Sequence, residues 1–108
     1  MSKGDIILVP FPFTDLSGQK IRPALVLYSD PKSEDCIVAF LSSTKPRRVS
    51  RFDVAVTPSH KNGLKVASVI KVNKIATLQK KIALGELGRL ERTHRASVDR
   101  KLEQLFSL

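Results

Sequence analysis

The apolar positions of this chain fall mostly into short runs that are separated by residues typical of turns. The runs Ile6–Val9, Ile21–Tyr28 and Cys36–Leu41 consist mainly of apolar residues, some of them β-branched, and are too short for typical helices, so they predict three strands, the third of them buried. Pro10 lacks the backbone donor that a central strand needs, so the first strand is expected to end before it. Turn-forming residues after each run predict the loops between these strands.

The second half of the chain continues this pattern and then changes it. Further strands are predicted at Phe52–Val56, Val66–Val72, Ile75–Leu78 and Ile82–Leu87. Near the C-terminus, apolar residues recur at helical spacing after a cap at Glu91 or Thr93, namely at Val98, Leu102, Leu105 and Phe106. The chain is therefore expected to finish in an amphipathic helix.

Many short strands followed by one helix predict an α+β protein that is mainly β. A strongly curved small barrel or a pair of packed sheets would bury such strands, with the helix packed against them. The 108 residues are enough for one domain, which we expect to cover residues 1–108.

The charge of the chain points to a polyanionic partner. It has 19 Lys and Arg against 10 Asp and Glu, a formal net charge of +9. Nucleic acid, an anionic membrane surface and an acidic protein all fit this sign, and a basic surface that only keeps the protein in solution is the plain alternative. The apolar runs fall well short of the roughly 20 residues that span a bilayer, and we expect the protein in the cytoplasm.

Several kinds of chemistry are not supported by the sequence. The two histidines and the single cysteine, Cys36, do not have the spacing of metal ligands. No G-x-S-x-G turn and no glycine-rich phosphate loop occurs. We therefore expect no metal and no cofactor, and we interpret Cys36 as a small residue of a strand.

Arg22 is the candidate for phosphate chemistry. It precedes Pro23, which favours an extended backbone, and its guanidinium can grip a phosphate with two parallel hydrogen bonds. A surface ion pair with Asp5 or Asp15 is the alternative role for this arginine. Ser42 ends the third predicted strand, and its hydroxyl could either face a substrate or satisfy a loop amide.

The chain resembles the PemK/MazF family, the toxins of bacterial toxin–antitoxin pairs. The resemblance rests on a short strand, the Pro-Phe-Pro-Phe-Thr-Asp loop at residues 10–15 and the Ile-Arg-Pro-Ala-Leu-Val-Leu run at residues 21–27, together with Ser68. It implies an SH3-like barrel, usually a homodimer, and a metal-independent endoribonuclease that cuts single-stranded RNA and is inhibited by an acidic antitoxin. Family members carry an arginine before the proline of strand two and a Thr or Ser at the end of strand three, which match Arg22 and Ser42.

The residues that we expect to bind RNA share positive charge, a hydroxyl, an imidazole or an aromatic ring near the proposed site. They are Phe13, Lys20, Ser43, Thr44, Lys45, Arg47, Arg48, His60, Ser68 and Lys71. Each has a plainer alternative: the basic loop could simply be solvated, Phe13 could plug the mouth of the barrel, and His60 could be an exposed loop residue.

Two other functions remain open at this point. A non-catalytic module could hold RNA or protein through the same basic surface, since a fold does not determine an activity. The chain could also resemble the CcdB branch of the fold, which poisons DNA gyrase. RNA cleavage on one side, and inhibition of supercoiling with intact RNA on the other, would separate these hypotheses.

Overall fold

The computed structural model describes residues 1–11, 20–43 and 50–108. These residues form one six-stranded antiparallel sheet with the strand order β4-β5-β3-β2-β1-β6. The strands and helices in chain order are β1 (Asp5–Phe11), β2 (Lys20–Ser29), β3 (Asp35–Ser42), β4 (Asp53–Val56), β5 (Ser68–Gln79), a 3-10 turn (Lys80–Ile82), β6 (Gly85–Arg89) and α1 (Arg92–Phe106). The predicted fold class is confirmed, as a curled sheet that forms half a barrel with a helix at its C-terminus.

Two of the strand predictions were wrong in their boundaries. Strand β1 continues through Pro10 to Phe11, because the pairing of β1 with β6 ends at Leu8. Beyond Leu8, β1 has a partner strand on one side only among the described residues, and such an edge position tolerates proline. The strand predicted at Ile82–Leu87 begins instead at Gly85, after the 3-10 turn.

Strand β5 replaces the two separate strands that were predicted around residues 66–78. Its pairing with β3 changes register between Ala39 and Phe40, whose partners are Ile75 and Lys71. Residues 72–74 therefore have no partner in β3, and they form a bend inside a continuous strand. A bulge of this kind kinks a strand and increases its twist.

Apolar side chains pack on both faces of the sheet. The helix-side cluster includes Ile6, Leu25, Leu41, Ile70 and Val98 of α1, among other residues. A second set of buried side chains lies on the other face, and we call it the opposite-side cluster. Its members are Ile7, Val9, Ala24, Val26, Cys36, Val38 and Leu78.

The bend in β5 moves its side chains from one cluster to the other. Ile70 and Val72 belong to the helix-side cluster, whereas Leu78 belongs to the opposite-side cluster and Ala76 packs against it. Alternate residues of a regular strand stay on one face, so these even-numbered positions would share a face without the bend. The three residues 72–74 thus exchange the faces of β5.

The predicted amphipathic helix is confirmed, and its apolar stripe is buried only in part. Val98 is buried and Leu102 packs against the helix-side cluster, while Phe106 near the C-terminal end is exposed. Glu91 is the N-cap residue, as one of the two predicted alternatives, but its side chain makes no capping hydrogen bond. Its carboxylate binds the loop before β5 instead.

Candidate active site

Arg22 and Ser42 lie opposite each other at the end of the β2–β3 pairing. The last residues paired between these strands are Ala24 and Phe40, and Arg22 and Ser42 follow them at equal distances in the antiparallel register. Side chains two residues apart point to the same face of a strand. Both side chains are half-buried, and both line one groove of about 520 Å³ on the face of the opposite-side cluster.

This groove, which we call the Arg22 groove, is built from three neighbouring strands. Its lining residues are Arg22 of β2, Phe40, Leu41 and Ser42 of β3, and Lys71, Asn73, Lys74 and Ile75 of β5. The bend of β5 contributes Asn73 and Lys74, both exposed. The groove therefore has an apolar floor and three cationic side chains on its walls, a composition that suits a ligand with phosphates and apolar flat groups.

Arg22 is held in extended backbone geometry by its neighbours. It pairs with Val9 of β1, and the following Pro23 pairs with Leu8. Within residues 1–11, 20–43 and 50–108, no ion pair or side-chain hydrogen bond involves its guanidinium. Asp5, a partner considered from the sequence, forms an ion pair of 3.0 Å with Arg89 instead. The other considered partner, Asp15, lies outside the described residues.

Ser42, the last residue of β3, and Ser43, which follows the strand, line different cavities. Ser42 pairs with Val69 of β5 and lines the Arg22 groove. Ser43 is exposed and lines a cavity of about 290 Å³ that Arg22 also borders. Arg22 thus stands at the boundary between two cavities, with a serine hydroxyl in each of them.

Ser68 does not line the Arg22 groove; it lines two other cavities, both of which Ser43 also lines. It is 5% exposed, and its Oγ donates a 3.0 Å hydrogen bond to the carbonyl oxygen of Val66. Ser43 and Ser68 line the 290 Å³ cavity and also a neighbouring one of about 230 Å³. Thr57 and His94 complete the polar lining of this smaller cavity.

His60 and Lys20 lie at the surface, away from the walls of the Arg22 groove. His60 is exposed in the loop between β4 and β5 and borders a separate cavity with Pro58, Ser59, Gly63 and Leu64. Lys20 is exposed at the first position of β2, where it pairs with Phe11. The remaining candidates from the sequence lie outside the described residues; they are Phe13, Thr44, Lys45, Arg47 and Arg48.

Lys71 is the third cationic residue of the groove, and it is paired with an acidic residue that sequence reasoning missed. Its Nζ lies 3.1 Å from Oδ2 of Asp53, the residue opposite it on β4. The only signal for Asp53 in the sequence was a carboxylate at the start of an apolar strand. His94 and Asn73 were also missed as lining residues, because neither stands in a recognisable motif.

The described residues give no indication of a metal site or a reactive thiol. Within these ranges, no three His, Cys, Asp or Glu side chains are close enough together to hold a metal ion. Cys36 is buried in the opposite-side cluster, and burial raises the pKa of its thiol. Of the helices in the described part, none has the length and apolar composition required to cross a membrane.

Comparison with known families identifies a match that spans nearly the whole chain. The model of the family described as the PemK-like, MazF-like toxins of type II toxin–antitoxin systems matches residues 2–106. No curated protein matches the chain in sequence at a significant level.

Several solved structures share the fold at low sequence identity. An endoribonuclease from a mycobacterial species, in complex with its cognate antitoxin, has a TM-score of 0.80 and 18% identity over 100% of this chain and 96% of its own. MazF in a MazE–MazF structure from Deinococcus radiodurans has a TM-score of 0.79 and 23% identity, covering 100% and 97%. The toxin MazF-mt6 of Mycobacterium tuberculosis has a TM-score of 0.75 and 22% identity, covering 96% and 97%.

Proposed function

The chain belongs to the PemK-like, MazF-like toxins of type II toxin–antitoxin systems, and from this premise we propose that it is an endoribonuclease. The proposed reaction is sequence-selective, metal-independent cleavage of single-stranded RNA in the cytoplasm. The observation that carries the proposal is that Arg22 and Ser42, which come from two strands, line one groove with cationic walls. Two solved structures with the same fold are described as endoribonucleases from mycobacterial species.

The proposed reaction uses the RNA's own 2′-hydroxyl as the nucleophile. Its oxygen forms a bond to the adjacent phosphorus as its proton leaves, and the bond from phosphorus to the 5′-oxygen breaks as that oxygen gains a proton. The products are a 2′,3′-cyclic phosphate and a 5′-hydroxyl. The protein must align the attack and stabilise the additional negative charge on the phosphoryl oxygens.

Arg22 suits the electrostatic part of this reaction. Its guanidinium remains positively charged at any physiological pH and can bind two phosphoryl oxygens at once. Its half-buried position strengthens such a contact, because charges interact more strongly where water is partly excluded. We assign Arg22 as the residue that stabilises the transition state and Ser42 as the hydroxyl that orients the phosphate.

The proposal includes two protein partners. We expect an acidic antitoxin to inhibit the enzyme, since the cationic groove would attract an acidic segment that excludes RNA. The fold is found in complexes with antitoxins from a mycobacterial species and from Deinococcus radiodurans. We also expect a homodimer, as the resemblance to the family implies.

End mapping of a cleaved RNA tests the proposed function. An unstructured RNA is incubated in excess EDTA with the wild-type protein, with Arg22→Ala and with Arg100→Ala as the matched control. Arg100 is an exposed arginine of α1 and lines none of the cavities described above. We expect 2′,3′-cyclic phosphate ends from the wild type and Arg100→Ala, and at least about a 100-fold loss in Arg22→Ala.

The other outcomes lead to different functions. RNA that binds to the wild-type protein but is never cut would support a non-catalytic binding module. Inhibition of gyrase supercoiling with intact RNA would support a CcdB-like poison. Full cleavage by Arg22→Ala would overturn the assignment of this arginine.

A further inference from the structure

Lys71 is fixed in the middle of a row of side chains that crosses three strands. It pairs with Phe40 of β3 on one side and with Asp53 of β4 on the other. The row lies next to the row of Arg22 and Ser42, and residues of one face in adjacent rows are separated by about 7 Å along a strand. The ammonium of Lys71 therefore belongs to the same groove as the guanidinium of Arg22.

The carboxylate of Asp53 is buried and has only one of its oxygens bonded. Its side chain is 1% exposed, and Oδ2 accepts hydrogen bonds from Nζ of Lys71 at 3.1 Å and from the amide of Ser50 at 2.9 Å. Oδ1 has no hydrogen-bond partner in the described part of the chain. A buried carboxylate with an unpaired oxygen is costly, and an apolar pair at this position would often be at least as stable.

The side chain of Lys71 is anchored on one side and open on the other. It is 25% exposed and lines the groove, and among the described residues its side chain contacts one polar partner, Asp53. An ammonium group carries three donors, so two of them remain for a ligand in the groove. A lysine side chain is flexible when it is free, and the contact with Asp53 removes much of that freedom before a ligand binds.

We propose that Lys71 is a second phosphate-binding cation of the Arg22 groove and that Asp53 is the buried residue that positions it. This inference rests on the proposed function, because the ligand is the phosphate backbone of single-stranded RNA. Lys71 contacts a phosphate next to the one held by Arg22. Asp53 touches no substrate and acts only through the ammonium of Lys71.

Removing the charge of Asp53 tests this proposal, because the removal is expected to affect RNA binding and turnover in opposite directions. A carboxylate near the groove weakens its attraction for RNA, so a groove that needed positive potential alone would be better without it. If Asp53 positions Lys71, removing the carboxylate should instead slow turnover. Asp53→Asn should leave KM for RNA unchanged or lower, while kcat falls about tenfold because the ammonium is no longer held in place.

Two variants at Lys71 separate its contact with RNA from its ion pair. Lys71→Gln should lower kcat/KM about tenfold or more, as expected for the loss of a charge-assisted hydrogen bond. It should also reduce the slope of log affinity against log salt concentration by about 0.7, the value for one phosphate contact with a single strand. Lys71→Arg keeps the charge and should recover most of the activity.

The decisive variant is the double substitution Asp53→Asn with Lys71→Gln. It removes both charges of the ion pair together, so neither charge is left without its partner. We expect it to be as impaired in cleavage as Lys71→Gln alone. Recovery of wild-type cleavage by the double variant would overturn the proposal, because Lys71 would then serve only to neutralise Asp53.

The measurements distinguish this inference from the proposed function. Affinity is measured with an oligonucleotide that carries a 2′-deoxy sugar at the cleaved position, so that binding is independent of turnover. A wild-type protein that binds this probe without cutting RNA contradicts the proposed function, and its salt slope still tests Lys71. An active enzyme with the same salt slope in Lys71→Gln contradicts the inference alone.

Discussion

The hydroxyl of Ser59 donates a 2.6 Å hydrogen bond to Oε2 of Glu91, and this contact joins the loop before β5 to the start of α1. Asn62, which is completely buried, strengthens the junction by donating to both carboxylate oxygens of Glu91 and to the carbonyl oxygen of Thr57. The loop from β4 to β5 is thus bonded to Glu91 through both Ser59 and Asn62. These bonds hold the loop in place just before β5 begins.

This junction predicts a loss of stability in acid. The pKa of Glu91 lies below its usual value of 4.5, chiefly because Ser59 donates a hydrogen bond to its carboxylate. Burial opposes this effect and raises the pKa, whereas a backbone amide, Asn62 and the charge of His94 lower it further. A carboxyl whose pKa is lower in the folded state stabilises the fold above its unfolded pKa and loses this effect as the pH falls through the folded value.

We therefore expect the thermal stability of the wild type to decrease below about pH 4.5, and Glu91→Gln to remove part of this dependence. Thermal unfolding from about pH 6 to about pH 3 measures the effect. Glu103→Gln is the control, since Glu103 is an exposed residue of α1. An identical acid dependence in wild type and Glu91→Gln would contradict the assigned role of Glu91.

Gly63, in the loop between β4 and β5, is predicted not to tolerate alanine. Its φ is +71°, and a Cβ atom at this position would lie 2.1 Å from the backbone oxygen of Leu87. Gly63→Ala should lower the free energy of unfolding by roughly 2 kcal/mol or more, because both the backbone strain and the clash must be relieved. The matched control is Gly85→Ala, for which a Cβ would have no atom within 4 Å. Urea unfolding that shows equal stability for both variants would refute this reading of Gly63.

Ser42, the last residue of β3, and Ser43, which follows it, provide a direct test of the catalytic assignment. Ser42→Ala should reduce kcat on the order of 10²-fold, as a misoriented phosphate would, while Ser43→Ala should change kcat little. Single-turnover cleavage of one RNA by both variants measures this difference. The opposite ranking would move the hydroxyl role to the 290 Å³ cavity that Ser43 shares with Arg22.

Replacing Arg22 by lysine separates its charge from its geometry. Lysine keeps the positive charge but cannot offer two parallel donors to phosphoryl oxygens. We expect Arg22→Lys to bind RNA about as well as the wild type and to turn it over at least about tenfold more slowly. The test is to measure the cleavage rates of the wild type, Arg22→Lys and Arg22→Ala at saturating RNA. Equal rates for Arg22→Lys and the wild type would show that the charge alone suffices.

Local patterns were enough to predict most of the strands and the helix. The buried runs of β2 and β3 are continuous in the sequence, and both were found close to their observed bounds. The bend of β5 was not predicted, because polar residues such as Asn73 and Lys74 resemble a loop when they are considered without their neighbours. Only the register with β3 reveals that they lie inside one strand.

The candidate site was predicted unevenly for a similar physical reason. Arg22 and Ser42 were predicted because they match the arginine and the hydroxyl residue of the family that the chain resembles, and both line one groove. Asp53 was missed because its importance depends on Lys71, eighteen residues away in the chain and opposite in the sheet. Ser68 and Lys71 were both predicted to bind RNA at one site, but the two side chains line different cavities.

The groove depends on the number of residues in the bend of β5, which is three (residues 72–74). Because this odd number exchanges the two faces of β5, Lys71 can line the groove while Leu78 is buried in the opposite-side cluster. A chain with one residue fewer here would have to turn either Lys71 or Leu78 to the wrong side of the sheet. The groove therefore requires an odd number of unpaired residues at the bend, a constraint on chain length that is separate from the identity of the side chains there.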